Sequence, residues 1–517
     1  MPPLASPSPP TTSYPLRLLL WCLWLAGAAY MTAHHVMWRD EIRALSFAER
    51  GGNIAEMIVQ IRGFGHPALW HVLLRGALFV YPHPIVLAVV AFLIGAAAAA
   101  LLAFKAPFRP LFLALALFGA TMTYEYVAVA RNYGLSVLIL FAVAAAWTRL
   151  RDRPGVIGAL LFLLCNTNVH SVMLAGALLL FWLVELLQRP DQADRRRWAS
   201  FLVAVLLVLA STALCLWQVY PPVDDAAMLP PDRSGPAGFV ISLLVNVGPY
   251  FHELMPETLR TPLFVIGLLP ILLILSIASL RRFPGALVAG VAALIGMALV
   301  FQVIYPGYYR HQGLLLAFLL TLTWIGQAKR PLPRSNALAV GRAAFMVLLA
   351  LQCYSGVLVL TRVAGGVPES RSRDLAALLA RPGLADAIVL GDPDTMLEPL
   401  PYYAANPIYM VREGRFGSTP TFSHAASSTM TIGRILSAAR DLQARTGRPI
   451  VIVLGERLEP TTPAAERDRG YYGPLRLVPD EVRRFLAATS RIARFAPAVT
   501  DESYDVYVLN RAGPPAR

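Results

Sequence analysis

The sequence predicts a polytopic α-helical membrane protein that carries a small α/β domain at its carboxyl end. Only 15% of the residues are charged, against roughly 25% in ordinary soluble proteins. Apolar runs of about 20 residues, the length that a helix needs to cross a bilayer, recur along the chain. After residue 361 charged residues return, and short β-rich runs alternate with helical patterns.

The first element is an apolar stretch, residues 15–33, which follows a Pro- and Ser-rich segment, residues 1–14, that we expect to be disordered. An apolar stretch at this place can be a signal peptide, and Ala26-Gly27-Ala28-Ala29 could serve as its cleavage region. We interpret the stretch as a retained transmembrane helix, because the segment before it is nearly uncharged and the later topology requires the span.

The later loops contain clusters of basic residues, with two apolar stretches between consecutive clusters. Because positively charged loops stay in the cytoplasm, each pair of stretches predicts one hairpin across the bilayer. The clusters are Lys105 and Arg109; Arg149, Arg151 and Arg153; Arg189, Arg195, Arg196 and Arg197; Arg281 and Arg282; and Lys329, Arg330 and Arg334. The predicted spans, about eleven in number, are residues 15–36, 84–104, 110–126, 133–148, 155–166, 171–188, 199–219, 261–280, 284–304, 312–328 and 336–361. An odd number of spans places residues 362–517 on the outer, periplasmic side.

Two further apolar runs are predicted to lie in the outer interface, or to dip into it, rather than to cross the bilayer. Residues 67–81 contain His71 and Arg75 in the middle of the run, which suits an interfacial helix better than a full crossing. Counting this run as a span would also invert the orientation of every later basic cluster. Residues 238–255, in the long loop after residue 220, receive the same interpretation.

The carboxyl-terminal segment, residues 362–517, predicts an α/β domain because strand and helix patterns alternate along it. The predicted strands are residues 387–390, 407–411, 449–454 and 505–509, and the predicted helices are residues 373–381, 432–445 and 479–493. No convincing glycine-rich phosphate-binding fingerprint occurs in this segment. We therefore expect the domain to have a packing or binding role rather than to be a second catalytic centre.

The net charge of +14 does not indicate a nucleic-acid partner, because the basic residues lie in the short loops that set membrane orientation. The four cysteines, Cys22, Cys165, Cys215 and Cys353, all fall inside apolar runs. Their spacing matches no metal site, and we expect no disulfide bonds.

Polar residues that loop solvation does not explain fall at the predicted outer ends of the helices. They are Asp40 and Glu41; His66; Tyr124, Glu125 and Tyr126; Arg131, Asn132 and Tyr133; Asn166, Asn168 and His170; His252 and Glu253; and Tyr308, Tyr309, Arg310 and His311. Within the apolar runs, Glu185 is the main acid, and it lies near a basic cytoplasmic end. A transporter or pump normally needs charged or broken-helix sites near the bilayer midplane. The pattern therefore favours an enzyme with its active site at the outer interface.

The residue types at this outer face suggest a general base and a phosphate site. A carboxylate beside a lipid interface is partly desolvated, which raises its pKa and suits it to act as a base. Arginine and histidine side chains in the same cavity can hold a phosphate, which a guanidinium group matches bidentately. A phosphate on a lipid carrier would lie at this depth, and because phosphate leaves easily, no general acid is strictly required.

Each of these residues also has a simpler structural interpretation. The simpler roles are a helix cap for Asp40 and Glu41, a helix start for His66, headgroup anchors for Arg131 and for Arg310 with His311, and a polar helix junction for Asn168 and His170. At the level of function, one alternative is a membrane transporter, flippase or polysaccharide-export component. Another is a non-catalytic scaffold that uses the outer domain.

Four short motifs resemble those of the GT-C membrane glycosyltransferases: WRDE at 38–41, GHPALW at 65–70, EYVAVARNYGL at 125–135 and YYRHQG at 308–313. They are similar to the bacterial branch near the protein O-mannosyltransferases, the lipid A aminoarabinose transferases and the rhizobial galacturonosyltransferases. The resemblance covers about residues 15–330, and many relatives carry a periplasmic domain after that region. It implies a GT-C-like fold and an inverting transferase that uses a polyprenyl-phosphate sugar donor.

Carried over motif by motif, the resemblance implies a role for each outer residue. Asp40 would be the catalytic base, Glu41 would orient it or contact the acceptor, and Glu125 would be a second outer acid. The donor phosphate would be bound by His66, Arg131, Arg310 and His311. Acceptor or sugar binding is assigned to the other aromatic and histidine side chains of this face, which are Trp38, His170, His252, Tyr308 and Tyr309.

The expected partners are a polyprenyl-phosphate-linked sugar, a lipid, glycan or protein acceptor, and membrane lipids, without nucleic acid. We expect no cofactor and no metal; metal use varies among GT-C enzymes, but no cluster of carboxylates requires a divalent ion here. The implied location is the bacterial inner membrane, with the active site and the carboxyl terminus on the periplasmic side.

Overall fold

The computed structural model of the chain describes residues 13–188, 194–221, 224–225, 235–241, 267–304, 307–329, 336–426, 428–469 and 472–510. They form two compact units. Unit 1 contains the described residues within Met1–Ala33, Gly51–Tyr220 and Pro230–Thr361, and unit 2 those within His34–Arg50, Pro221–Leu229 and Arg362–Arg517. The sequence predicts a transmembrane domain over residues 15–361, which would include residues 34–50, whereas the structure groups residues 34–50 with the carboxyl-terminal residues.

Unit 1 is a bundle of helices. The helices of the whole chain are numbered together, and α2 belongs to unit 2. Those of unit 1 are α1 (Tyr14–His34), α3 (Ile54–Gln60), α4 (Leu69–Val80), α5 (Val86–Lys105), α6 (Pro110–Leu117), α7 (Tyr133–Leu150), α8 (Val156–Cys165), α9 (Val169–Leu187), α10 (Arg195–Val219), α11 (Gly235–Ile241), α12 (Leu269–Ala278), α13 (Pro284–Val303), α14 (Tyr309–Lys329) and α15 (Asn336–Ala364).

The helices of unit 1 begin at residues suited to that position. Pro110 and Pro284 occupy first turns, where the missing N–H costs nothing. Asn168 and Asp194 cap α9 and α10 through side-chain bonds to backbone N–H groups.

Seven helices within the described residues are long and apolar enough to cross a membrane: α1, α5, α7, α9, α10, α13 and the Leu338–Ala364 part of α15. Each coincides with a span that the sequence predicts. Three of the other predicted spans, residues 110–126, 155–166 and 261–280, contain described α-helices of 8 or 10 residues. The fourth, residues 312–328, lies within α14, which has 21 residues but begins with Tyr-Arg-His-Gln. The total of about eleven spans stays a prediction.

Helix α4 corresponds to the predicted interfacial helix at residues 67–81. Its 12 residues extend about 18 Å, which is too short for a hydrocarbon core of about 30 Å. His71 is buried in the unit, whereas Phe79 and Val80 at the end of the helix are exposed. Of the second predicted interfacial helix, residues 238–255, only residues 238–241 at the end of α11 are described, and the rest lies outside the described residues.

The predicted span at residues 110–126 is not one continuous helix. α6 ends at Leu117, and after a bend a single π-helical turn follows at Thr121–Glu125. The bend packs closely on α15: a Cβ added to Gly356 would lie 3.0 Å from the carbonyl oxygen of Phe118, and Thr121 N–H donates to Gln352 Oε1 at 3.3 Å. The prediction of a single helix over residues 110–126 is therefore wrong. The hydropathy of a segment indicates that it is buried, but it does not show where a helix within it is interrupted.

Unit 2 is an α/β domain built on two sheets. The larger sheet contains β1 (Ile388–Asp392), β2 (Ile408–Met410), β3 (Arg415–Phe416), β5 (Ile450–Leu454), β8 (Thr489–Phe495) and β9 (Tyr504–Leu509), in the order β3-β2-β1-β5-β9-β8. β1 is parallel to β2 and β5, and β9 is antiparallel to both of its neighbours. The smaller sheet has the order β4-β7-β6, from β4 (Met430–Thr431), β7 (Leu475–Leu477) and β6 (Ala465–Arg467). The helices are α2 (Arg39–Glu49), α16 (Ser372–Leu379), α17 (Leu400–Tyr403), α18 (Ile432–Thr446) and α19 (Pro479–Ala488).

The predicted α/β character of the carboxyl-terminal segment is confirmed. The predicted strands correspond to β1, β2, β5 and β9, and the predicted helices at 373–381 and 432–445 correspond to α16 and α18. The predicted helix at 479–493 is wrong from residue 489 onwards. There the chain turns into β8, because antiparallel pairing with β9 supplies the backbone hydrogen bonds from Thr489 to Phe495.

Residues 34–50 belong to unit 2 because its carboxyl-terminal part binds their backbone. Met37 N–H donates to Tyr403 Oη at 2.7 Å. Arg373 Nη2 donates to the carbonyl oxygen of His35 at 3.2 Å. The chain segment that carries the predicted WRDE motif is therefore held by α16 and α17.

Candidate active site

Helix α2 begins directly after Trp38, and one of the two predicted acids caps it. Glu41 is fully buried. Its Oε2 accepts from Trp38 N–H at 3.2 Å and lies 2.8 Å from His35 Nε2. A carboxylate at the third helical position that accepts from the N-cap N–H satisfies an otherwise unbonded donor. Glu41 therefore has the capping role that the sequence left open, and it anchors the turn that leads into α2.

Asp40 precedes Glu41 in the first turn of α2 and is half-buried. It interacts electrostatically with Arg39 and with Arg43, which follows it by three residues on the same helix. The positive end of the helix dipole acts on Asp40 in the same direction. Unit 2 thus places a carboxylate at a helix N-terminus, where it interacts with two guanidinium groups and its negative charge is favoured.

The two arginines beside Asp40 are bound by acids from distant parts of the sequence. Arg43 donates through Nε and Nη2 to the two carboxylate oxygens of Glu398, at 2.8 and 2.6 Å. Arg39 N–H donates to Glu502 Oε1 at 3.0 Å, and its guanidinium contacts Asp501. Burial raises the pKa of Glu502 to about 8, and the positive charge of Arg39 opposes this shift. Burial also raises the pKa of Glu398, against the effect of Arg43.

In unit 1, two of the predicted phosphate-binding residues are in direct contact. His66 lies just before α4 and Arg131 just before α7. Arg131 Nη2 donates to His66 Nε2 at 2.8 Å. Because His66 acts as the acceptor in this bond, its role in the structure is to orient the guanidinium group of Arg131.

The π-helical turn and the start of α14 bring three further predicted residues together. The Glu125 side chain is only 2% exposed. Tyr309 Oη donates to it, and Arg310 Nε lies 4.0 Å from its Oε2. Tyr126 Oη donates to the carbonyl oxygen of Arg310 at 2.8 Å, which ties the two segments together. Arg310 itself keeps 17% of its side chain exposed.

His311, which follows Arg310 in the chain, forms a stacked pair with His170. Their ring centroids are 4.6 Å apart. Tyr308 N–H donates to His311 Nδ1 at 3.0 Å, so the proton of a neutral His311 lies on Nε2 and is donated to Tyr133 Oη at 2.7 Å. Neither ring nitrogen of His170 has a hydrogen-bond partner within the described part of the chain. Both nitrogens of His311 are occupied inside the bundle, which suits it to positioning rather than to direct phosphate contact.

These contacts place the four residues that are predicted to bind the donor phosphate in one region of unit 1. His311 interacts electrostatically with His170, Arg310, Arg131 and His66. We call His66, Arg131, Arg310 and His311 the cationic cluster, after the charge of its two arginines. Four connections that are far apart in sequence therefore contribute side chains to it or to its immediate contacts.

The other predicted residues are distributed differently. Trp38, Asp40 and Glu41 belong to unit 2, and His252 lies outside the described residues. Sequence reasoning missed Arg43, Glu398 and Glu502. The spacing of Arg43 from Asp40 on one helix could have identified it, whereas acids in the charged tail are normally solvated and give no such signal.

Within the ranges that the structure describes, no group of three or more His, Cys, Asp or Glu side chains could hold a metal ion. The expectation of no metal stays a prediction.

Comparisons with known proteins give a match at the level of structure. No family model matches the chain, and no curated protein matches its sequence. The crystal structure of ArnT from Cupriavidus metallidurans bound to undecaprenyl phosphate matches 97% of this chain and 100% of its own, with a TM-score of 0.50 and 15% identity. The same protein in the apo state matches 96% of this chain and 98% of its own, with a TM-score of 0.48 and 13% identity. The first match extends over both units and agrees with the fold that the sequence motifs imply: the chain has the GT-C fold.

Proposed function

We propose that the protein is an inverting glycosyltransferase that moves a sugar from a polyprenyl-phosphate donor to an acceptor hydroxyl at the periplasmic face of the bacterial inner membrane. The observation that carries this proposal is the cationic cluster of unit 1, which lies on a GT-C fold. The structural neighbour was crystallised with undecaprenyl phosphate, so a polyprenyl phosphate is a ligand that this fold can accommodate.

The cationic cluster supplies the chemistry that a donor phosphate needs. Arg131 is oriented by His66, and Arg310 is held near Glu125 while part of its side chain stays exposed. Two guanidinium groups can each bind phosphate oxygens bidentately and stabilise the negative charge that grows as the sugar–phosphate bond breaks. Glu125 keeps Arg310 in place, and His311 supports the site through Tyr133 and Tyr308.

Asp40 is the proposed base. It accepts the proton of the acceptor hydroxyl while the hydroxyl oxygen attacks the anomeric carbon from the side opposite the phosphate. The bond between the anomeric carbon and the phosphate oxygen breaks, and polyprenyl phosphate leaves with the electron pair, so the configuration inverts. Arg39 and Arg43 hold the charge of Asp40 in place, and their own partners in unit 2 fix their positions.

Replacing Asp40 tests this proposal. Asp40→Asn should lower the turnover of sugar transfer by about 100-fold or more, the usual contribution of a general base, and should leave the affinity for undecaprenyl phosphate unchanged. The matched control is Glu49→Gln, which neutralises an exposed acid at the other end of α2. Transfer is measured with purified protein in detergent, and donor binding separately. If Asp40→Asn kept most of its turnover, the base assignment would be wrong and a carrier or scaffold would be favoured.

A further inference from the structure

Unit 1 contains a cavity of about 410 Å³ that lies away from the cationic cluster. Thr148 and Arg151 line it at the last turn of α7 and just beyond, and Glu185 lines it in the last turn of α9. The first turns of the same two helices carry Tyr133 and His170 of the candidate active site. The 18 residues of α7 extend about 27 Å, so the cavity lies at the opposite ends of these helices, which the basic loops predict to be cytoplasmic.

The charged residues of this cavity carry an excess of positive charge. They are Arg151, Asp152, Glu185, Arg197 and Arg282. Asp152 pairs with Arg151 at 3.5 Å and with Arg197 at 3.3 Å, and Glu185 pairs with Arg151 at 3.1 Å. Both acids are thus engaged by arginines. Arg282 has no ion-pair or hydrogen-bond partner among the described residues, so its guanidinium group is available to an anion.

Apolar side chains form the rest of the cavity wall and also lie on the surfaces of the neighbouring helices. Phe181, Trp182 and Phe283 line the cavity itself. On the same helices, the outward side chains of Leu187 on α9 and Val288 on α13 are 61% and 40% exposed. A ligand with an anionic head and a hydrocarbon tail would satisfy both features, because the head can enter the cavity while the tail follows the exposed apolar surface.

We propose that this cavity binds the phosphate headgroup of an anionic membrane lipid from the cytoplasmic leaflet. Arg282 is the principal phosphate contact, and Arg151 and Arg197 form the cationic wall that Asp152 and Glu185 hold in place. The volume fits a headgroup, since small-ligand pockets measure roughly 300–1,000 Å³. The site is separate from the proposed donor site, and its occupancy does not depend on the transfer reaction.

Charge reversal at Arg282, with its neighbour as the control, tests the proposal. Phosphatidylglycerol is titrated into the purified full-length protein and bound lipid is counted by native mass spectrometry, with phosphatidylcholine as the zwitterionic comparison. Arg282→Glu should weaken phosphatidylglycerol binding by about fivefold or more, since one basic residue near a membrane surface contributes about 1 kcal/mol. Arg281→Glu makes the same change of charge at an adjacent exposed residue that does not line the cavity, and it should leave binding unchanged.

The remaining outcomes decide against the proposal. Equal losses in Arg281→Glu and Arg282→Glu would show general attraction to a basic surface and no defined site. Unchanged binding in Arg282→Glu would remove the cavity as the lipid site, provided that its melting temperature shows a folded protein. If inorganic phosphate at millimolar concentration displaced the lipid from the wild-type protein as effectively as phosphatidylglycerol does, the occupant would be a soluble phosphate instead.

Discussion

Arg39 and Arg43 both interact electrostatically with Asp40, and the acids that bind the two arginines decide how much of their positive charge acts on it. Arg43 is matched by the bidentate carboxylate of Glu398. The pKa of Glu502, raised to about 8 by burial, makes that carboxyl neutral at pH 7. The charge of Arg39 is then balanced mainly by Asp501, whose side chain is 52% exposed and therefore screened by solvent. At neutral pH, the positive charge of Arg39 is thus compensated mainly by one solvent-exposed acid, whereas that of Arg43 faces the buried side chain of Glu398.

The buried carboxyl of Glu502 makes stability depend on pH. Burial raises its pKa from 4.5 to about 8, so between these values the folded protein holds a proton that the unfolded chain has lost. The free energy of unfolding should therefore fall as pH rises through this window, by at most about 1.4 kcal/mol per pH unit. Glu502→Gln carries a neutral amide at every pH and should lose this slope. This pH dependence is measured by thermal unfolding from pH 5 to 8. If stability changed with pH in the same way in the wild type and in Glu502→Gln, the buried carboxyl of Glu502 would not be its cause.

At the scale of elements, the contact between the π-helical turn and α14 sets the geometry of the cationic cluster. Tyr126 Oη bonds the carbonyl oxygen of Arg310, and Gly313 lets the two segments approach. A Cβ on Gly313 would lie 2.7 Å from Thr121 Cγ2 and closer still to Tyr126 Oη. Any side chain there must displace the turn that carries Glu125, and with it the partner of Arg310.

Gly313→Val should therefore separate the π-helical turn from α14. We expect a loss of about 1–3 kcal/mol in stability, as for overpacking in other protein cores, together with weaker binding of undecaprenyl phosphate. The matched control is Gly176→Val in α9, where an added Cβ would meet nothing within 4 Å. Melting temperature and donor affinity are measured for both variants. Equal behaviour of the two would show that the contact at Gly313 does not position the cluster.

The elements also show which part of the fold a sequence can predict. Long apolar runs identified α5, α9 and α13, because soluble proteins rarely contain an uninterrupted apolar run of about 20 residues. The bend after α6 depends on close packing at Gly356 and Gln352, which no local pattern reports. Residues 489–495 have no strong strand signal of their own, and their conformation comes from pairing with β9.

At the scale of the whole molecule, sequence order and structural grouping differ. Residues 34–50 follow a transmembrane helix directly, yet they fold with unit 2, whose other described residues are mostly more than 300 positions later. The residue types of the cationic cluster were predictable, because ionisable side chains are rare near apolar helices and stand out there. The acids that bind Arg39 and Arg43 could not be predicted. Glu502 lies 463 positions from Arg39 and Glu398 lies 355 positions from Arg43, and in the sequence both resemble solvated surface acids.

This grouping gives unit 2 a measurable part in the proposed reaction. Glu398→Gln removes the charge that balances Arg43, while the amide keeps a hydrogen bond to it. The uncompensated guanidinium group should stabilise the anionic form of Asp40 and weaken it as a base, so we expect kcat to fall about tenfold. The affinity for undecaprenyl phosphate should not change, because the proposed phosphate ligands belong to unit 1. Glu456→Gln is the control, since Glu456 binds arginines of unit 2 that lie outside α2. A loss of donor affinity in Glu398→Gln, or an equal loss of kcat in both variants, would show that the bond between Glu398 and Arg43 has no specific role in positioning the base.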